Sequence, residues 1–440
     1  MRTSATNLKD QSLERGGSDS RIAVGVLVLL TLTPSLAKFG LFGMNGDAET
    51  GSLASEFFWG SAYAISIWRL IVHRERAGRL LKRTWPLVTF LGLAVASYFW
   101  SVAPAITLRN AMEMVGMSAA CYYFVVRFTL GEFLEIAVKY FVGVSIVSAV
   151  LIFLWPSHGR SSYGVVGWAG LFSEKNGFGA AMSLSILTYG VAAATAEGAR
   201  RWRMLSCVLM GIFLLAGSQS VTSLLIFVST AATVVATVLC SSPRYGITAR
   251  FAVISVALAG IIGITLIGPD TSPVLGFFGK SENLSGRADF WPGVIRAIGD
   301  RPILGFGYNA FFLAAETEKQ YLAPLLGWWF PFHAHNSYYQ ATLSLGFVGV
   351  TIFACALVPA VLLSIMRVVR DHEVVAAWPL AMLVYVILGS FTETYFGLPN
   401  FITSVFFIIA MLYPFREAME VKRRTGRPSF ARPNAPSSAV

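Results

Sequence analysis

HAHNSYYQATLSLGFVGVTIFACALVPAVLLSIM, residues 333–366, passes from two histidines and an asparagine into a run without Asp, Glu, Lys or Arg from Ser337 to Met366. About 20 consecutive apolar residues cross a bilayer as a helix, so 337–366 reads as a membrane span with polar chemistry at its mouth. The same signal recurs at approximately 22–44, 53–72, 85–101, 111–128, 133–155, 177–195, 204–218, 221–240, 251–268, 377–393 and 398–415. Of the 440 residues 55% are hydrophobic and 13% charged, with a mean hydropathy of +0.64. A soluble domain carries about 25% charged residues. The expectation is an all-α polytopic membrane protein with about 12 transmembrane helices.

Basic residues orient it. With residues 1–21 as a cytoplasmic tail, most of the 34 Lys and Arg fall inside, among them Arg74, Arg76, Arg79, Arg200, Arg201, Arg367 and Arg416. The reading divides the chain into spans one to nine over 22–268, a large outer loop over 269–336 and spans ten to twelve over 337–415. A basic cytoplasmic tail, 416–440, has the composition of a disordered segment. The first span lacks an evident cleavage site and reads as retained. The net charge of +11 serves orientation and contact with anionic membrane lipids, so no nucleic-acid partner is expected. Cys121, Cys207, Cys240 and Cys355 lie in or at the ends of spans, without metal-site or disulfide spacing.

The candidate chemistry gathers at the outer ends of spans. Apolar residues at Phe290, Trp291, Val294, Ile295 and Ile298 predict an amphipathic helix over 288–298 lying on the membrane. Trp291 reads as an interfacial anchor or a sugar-stacking ring. Arg287 heads this helix, either as a loop residue or as a guanidinium matched to a diphosphate. In Arg301-Pro302-Ile303-Leu304-Gly305-Phe306-Gly307, the glycines permit a close backbone approach or expose N–H groups to an anion. His333 and His335 read as acid–base or hydrogen-bonding groups, as a metal pair, or as interfacial filler; Asn336 orients a histidine or caps the next helix. Arg109, Lys175, Asn176, Tyr338, the polar turn 217–223 and Glu393 lie at other outer ends. The 269–336 loop holds five Lys or Arg against six Asp or Glu, so an anion would be recognised by particular side chains and not by bulk charge.

Taken in order, WSVAPAITLR (100–109), GLFSEKNGFG (170–179), SQSVTSLL (218–225), GRADFW (286–291), RPILGFG (301–307) and HAHNSYYQATLSLGFVG (333–349) resemble the bacterial O-antigen ligase and polymerase family, and its exopolysaccharide-polymerase branch most. The resemblance covers roughly 90–415. It implies a GT-C-like glycosyltransferase of the inner membrane, with 269–336 periplasmic. It implies transfer of a glycan from undecaprenyl diphosphate to a lipid-linked acceptor, with no metal or other cofactor. Arg287 and His335 match the family's functional Arg and His. Arg301, Arg109, Lys175, Asn176, Asn336, Trp291, Tyr338 and His333 become candidates for diphosphate or sugar binding. Glu174 stands where the motif often has His, and Gln219 and Val221 where a basic residue is frequent. Possible partners are a flippase and a chain-length regulator. A ligase acting on lipid A–core, and a transporter of lipid-linked glycan, are the rival functions.

Overall fold

Turn chemistry fixes where the helices start. The Thr129 hydroxyl accepts from the Glu132 N–H (3.3 Å) and the Glu132 carboxylate accepts from the Thr129 N–H (2.7 Å), closing a capping box. Pro86 and Pro104 occupy first turns of two other helices, where the missing N–H removes no helical bond. The computed structural model describes residues 19–33, 53–161, 167–241, 287–326, 331–371 and 374–425. Among these the regular elements are helical. The principal ones are α1 (19–33), α2 (Leu53–Val72), α3 (Arg74–Arg83), α4 (Trp85–Ala96), α5 (Pro104–Arg127), α6 (Leu130–Leu154) and α7 (Lys175–Thr195). They continue with α8 (Gly198–Ser218), α9 (Val221–Ser241), α10 (Arg287–Asp300), α11 (Ser337–Asp371), α12 (Ala377–Gly389) and α13 (Ile402–Thr425). The expected span at 251–268 lies outside the described residues.

Six helices among the described residues are long and apolar enough to cross a membrane: α6, α7, α8, most of α9, α11 and most of α13. The protein is a multi-pass membrane protein. Its interior is aromatic, with Phe133, Tyr140, Phe141, Trp378, Phe406 and Tyr413 buried between α6, α12 and α13. Hydroxyl groups tie helices where lipid offers no partner: Thr31 Oγ1 to the Tyr140 hydroxyl (2.6 Å), and Trp378 Nε1 donating to Thr188 Oγ1 (3.1 Å). Leu209, Phe213, Leu362 and Met366 on α8 and α11 remain exposed, as side chains facing lipid would.

Helix α11 is broken at Gly346, whose φ of 62° and ψ of −168° interrupt the helical ladder. The break is filled by the 302–307 segment. Phe306 N–H donates to the Leu343 carbonyl (2.7 Å) and Gly307 N–H to that of Ser344 (3.1 Å). In return Phe347 N–H donates to Pro302 (2.8 Å) and Val348 N–H to Ile303 (3.3 Å). A Cβ on Gly346 would stand 2.1 Å from the Ile303 carbonyl oxygen, and one on Gly305 2.5 Å from that of Leu343, so the approach needs glycine on both sides. The Gly305 N–H is taken by Arg301. The backbone of 305–307 therefore docks the loop; the anion-holding alternative for these N–H groups is not what they do.

The amphipathic helix is present as α10, but protein covers its apolar face. Phe290, Trp291, Val294 and Ala297 form a second core with Phe306, Phe311, Tyr321 and Leu343. The 3.6-residue period marks one apolar face without saying what covers it; here the rest of the loop and α11 do.

Candidate active site

Three chain turns meet at one end of the bundle. The 333–336 segment leads into α11, the 390–401 turn joins α12 to α13, and Asn176 lies in the first turn of α7. Each is held by its own hydrogen bonds. Asn336 Oδ1 accepts from the N–H groups of Tyr338 (2.9 Å) and Tyr339 (3.1 Å), capping α11, while its Nδ2 donates to the Phe391 carbonyl (3.1 Å). Ser337 Oγ donates to the Glu393 carbonyl (3.1 Å) and accepts from Tyr395 N–H (2.9 Å). Trp291 Nε1 donates to the Ala334 carbonyl (3.0 Å), which pins α10 to the segment between the two histidines.

A cavity of about 230 Å³ opens there, lined by His333, His335, Asn176, Glu393, Thr394 and Asn400 among others. His335 Nδ1 lies 3.1 Å from Glu393 Oε2. Glu393 is buried, and its Oε1 accepts from Asn176 Nδ2 (3.0 Å); Asn176 Oδ1 in turn accepts from Ser220 Oγ (2.9 Å). With Glu393 ionised, the carboxylate only accepts, so a neutral His335 carries its proton on Nδ1 and has its lone pair on Nε2. His335 has a φ of 48°, in the left-handed region where His is among the more tolerant residues.

His333 is held differently. Its Nδ1 accepts from the His335 backbone N–H (3.3 Å) and lies 3.2 Å from Thr394 Oγ1. With Nδ1 accepting, the ring proton sits on Nε2 and that edge donates. The two rings are 4.1 Å apart, yet Nδ1 of one faces a carboxylate and Nδ1 of the other faces a backbone N–H. Among the described residues no three His, Cys, Asp or Glu side chains are grouped as a metal site.

Asn400 supplies a further polar group. It is 1% exposed and has a φ of 61°. Its Oδ1 accepts from the Tyr63 hydroxyl (2.8 Å), while its Nδ2 has no hydrogen-bond partner among the described residues. A buried N–H without a partner costs about 1–3 kcal/mol, and this one belongs to a residue on the cavity wall.

Arg109, Arg301, Tyr338 and Trp291 do not line this cavity. Arg109 on α5 is held by Glu113 (3.2 Å) and by Glu56 of α2 (3.5 Å). The Arg301 guanidinium lies over the Phe306 ring, 4.9 Å from its centre. Tyr338 donates to the Ile387 carbonyl (3.0 Å) and packs on Phe391. Trp291 is buried beneath the histidines, with its edge-on partner Tyr339, rather than presented to solvent. Lys175 begins α7 beside Asn176. The Arg287 side chain lies outside the described residues; its backbone starts α10, four residues before Trp291 and so about 6 Å along the axis from it.

Glu393 and Asn400 are the pieces that sequence reasoning did not assign to the site. Glu393 was visible as a carboxylate at the end of an apolar run, but α12 stops at Gly389 and the residue sits on an irregular turn. Nothing in the sequence marked Asn400.

Residues 205–354 match the family model described as O-Antigen ligase. The chain is also 26% identical over 334 residues to the Exopolysaccharide production protein ExoQ of Rhizobium meliloti (strain 1021), covering 72% of this chain and 74% of the relative. The resemblance read from the motifs is borne out by both. The family match includes Arg287, Arg301, His333 and His335, while Asn176, Glu393 and Asn400 lie outside it.

Proposed function

We propose that the protein is a polysaccharide polymerase. It transfers a glycan from undecaprenyl diphosphate to a hydroxyl of another lipid-linked repeat unit, at the periplasmic face of the bacterial inner membrane. Both termini are cytoplasmic, and the helices form a GT-C-like architecture of about twelve spans. The observation that carries the reading is the Glu393–His335 contact in a cavity at one end of a membrane-spanning bundle. The likeness to an exopolysaccharide production protein supports a role in polysaccharide production.

In this mechanism His335 Nε2 takes the proton from the acceptor hydroxyl as its oxygen attacks C1 of the donor glycan. The C1–O bond to the diphosphate breaks, and its electron pair passes to the leaving diphosphate oxygen. Glu393 stabilises the imidazolium that forms, as a buried carboxylate does behind a catalytic histidine. Arg287, on a helix tied to the Ala334 carbonyl through Trp291, neutralises charge on the diphosphate; such a preorganised contact is worth ~3–4 kcal/mol in the transition state. His333 Nε2 and Asn400 Nδ2 donate to sugar or phosphate oxygens. The donor is already activated, so neither ATP nor a metal is required.

The match to a family described as O-Antigen ligase favours a second reading, the same chemistry with lipid A–core as acceptor. A transporter would place ionisable groups near the membrane midplane, whereas these lie at one end of the bundle. Purified protein in proteoliposomes, given lipid-linked repeat units with EDTA and without ATP, separates the three. A ladder of longer lipid-linked glycans marks the polymerase, and product formed only with lipid A–core marks the ligase. Labelled donor crossing the bilayer without product would overturn both.

A further inference from the structure

At the opposite end of the bundle from His335 lies a cavity of about 310 Å³, lined by Arg76, Arg79 and Leu80 of α3, Arg416, Met419 and Glu420 of α13, and neighbouring residues. Ile402 of α13 borders the His335 cavity, and Arg416 follows fourteen residues later, about 21 Å along the helix. The two cavities are therefore separate sites.

The charges lining the basic cavity do not balance. Arg416 is engaged by the Phe128 carbonyl and by Glu420 (3.2 Å). Arg76 and Arg79 are exposed and make no ion pair with any described residue. Three guanidinium groups thus share one carboxylate. Arg76 and Arg79 are three residues apart and so share a helix face, and planar guanidinium forks match the oxygens of a phosphate. The volume is about ten times the ~30 Å³ share of one water molecule, room for a phosphate and its ester substituents.

The surroundings point to where that phosphate comes from. Helix α3 buries Ala77 and Leu80 and exposes its basic residues, while Leu81, Trp85 and Val88 beside it are apolar and 40–62% exposed. An exposed tryptophan among basic residues at a helix end is the pattern of a membrane–water boundary. Basic pockets between helices at that level hold lipid headgroups. We propose that the cavity of Arg76, Arg79 and Arg416 seats the phosphate of an anionic phospholipid, on the face opposite the glycan-transfer site.

The test is native mass spectrometry and thermal melting of the purified full chain, with phosphatidylglycerol, with phosphatidylcholine, or with inorganic phosphate alone. Because Arg416 also caps α5 through the Phe128 carbonyl, the variant is Arg76→Gln/Arg79→Gln. Its control is Arg74→Gln/Lys82→Gln, which removes equal charge from the same helix outside the cavity. Wild type and control are expected to retain phosphatidylglycerol over phosphatidylcholine by about fivefold or more, and the Arg76/Arg79 variant to lose that preference. Equal loss in variant and control, or no preference in wild type, would overturn the site. Stabilisation by inorganic phosphate that needs Arg76 and Arg79, without retained phosphatidylglycerol, would overturn the lipid as its source. Neither substitution touches the His335 cavity, so the outcome does not bear on the proposed glycan transfer.

Discussion

Glu393 and His335 are 58 positions apart and meet at 3.1 Å through Oε2 and Nδ1, with Asn176 holding the other carboxylate oxygen. A glutamine at 393 offers one acceptor and one donor where the carboxylate offers two acceptors, so either Asn176 or His335 loses its partner. Glu393→Gln is expected to lower kcat by about 10²-fold while changing the donor KM by no more than about twofold, the mark of an interaction used in the transition state. Steady-state kinetics check this; a raised KM with unchanged kcat would assign Glu393 to ground-state binding instead.

The orphan amide of Asn400 makes a separate prediction. Asn400→Gly suits the left-handed backbone but removes the donor, and is expected to raise the apparent KM for the lipid-linked donor by about 2–10-fold. Tyr63→Phe removes only the bond to Asn400 Oδ1 and is expected to leave KM near wild type. Matching KM values in the two variants would take Asn400 out of the substrate site.

The break in α11 predicts a stability effect away from the cavity. Gly346→Ala places a Cβ against the Ile303 carbonyl at a positive φ and is expected to cost about 1–3 kcal/mol. Its melting temperature should fall below that of wild type, with loss of activity because the 302–307 loop is docked through the break. Gly92→Ala, inside α4 where a Cβ meets nothing within 4 Å, is the control and should melt at or slightly above wild type.

His73, in the turn between α2 and α3, predicts a pH dependence. Burial, followed by the charges of Arg127, Arg76 and Arg69, holds its pKa below the ordinary 6.5, against a smaller opposing pull from Asp19. Below 6.5 the unfolded chain takes up a proton that the folded one resists, so this contribution to stability is complete above 6.5 and is lost as pH falls through the folded value. Thermal melting of His73→Gln should lose this part of the pH dependence; an unchanged profile would show that His73 does not supply it.

Six of the expected spans, those at 133–155, 177–195, 204–218, 221–240, 337–366 and 398–415, were legible because an uninterrupted apolar run has few other uses. What covers each face was not. The period of 288–298 predicted an apolar stripe, but only packing shows Phe306, Phe311 and Leu343 beneath it. Gly346 is one glycine in an apolar run, and its role depends on a loop about forty residues earlier in the chain. The sequence marks Arg109 as a candidate for diphosphate or sugar binding, and only packing shows the carboxylate of Glu56, from another helix, beside it. Local motifs marked His335 and Asn176 as candidates, whereas Glu393 comes beside them only when α7, α11 and the turn before α13 come together.

The most direct measurement is the rate of ladder formation from lipid-linked repeat units by wild type, His335→Ala and His333→Ala in proteoliposomes, each confirmed folded. Wild type should build the ladder, His335→Ala should slow it by about 10²–10⁴-fold, and His333→Ala by less than about tenfold, since the proposed base is His335, backed by Glu393. A His335→Ala variant that extends glycans at the wild-type rate would contradict base catalysis by this residue.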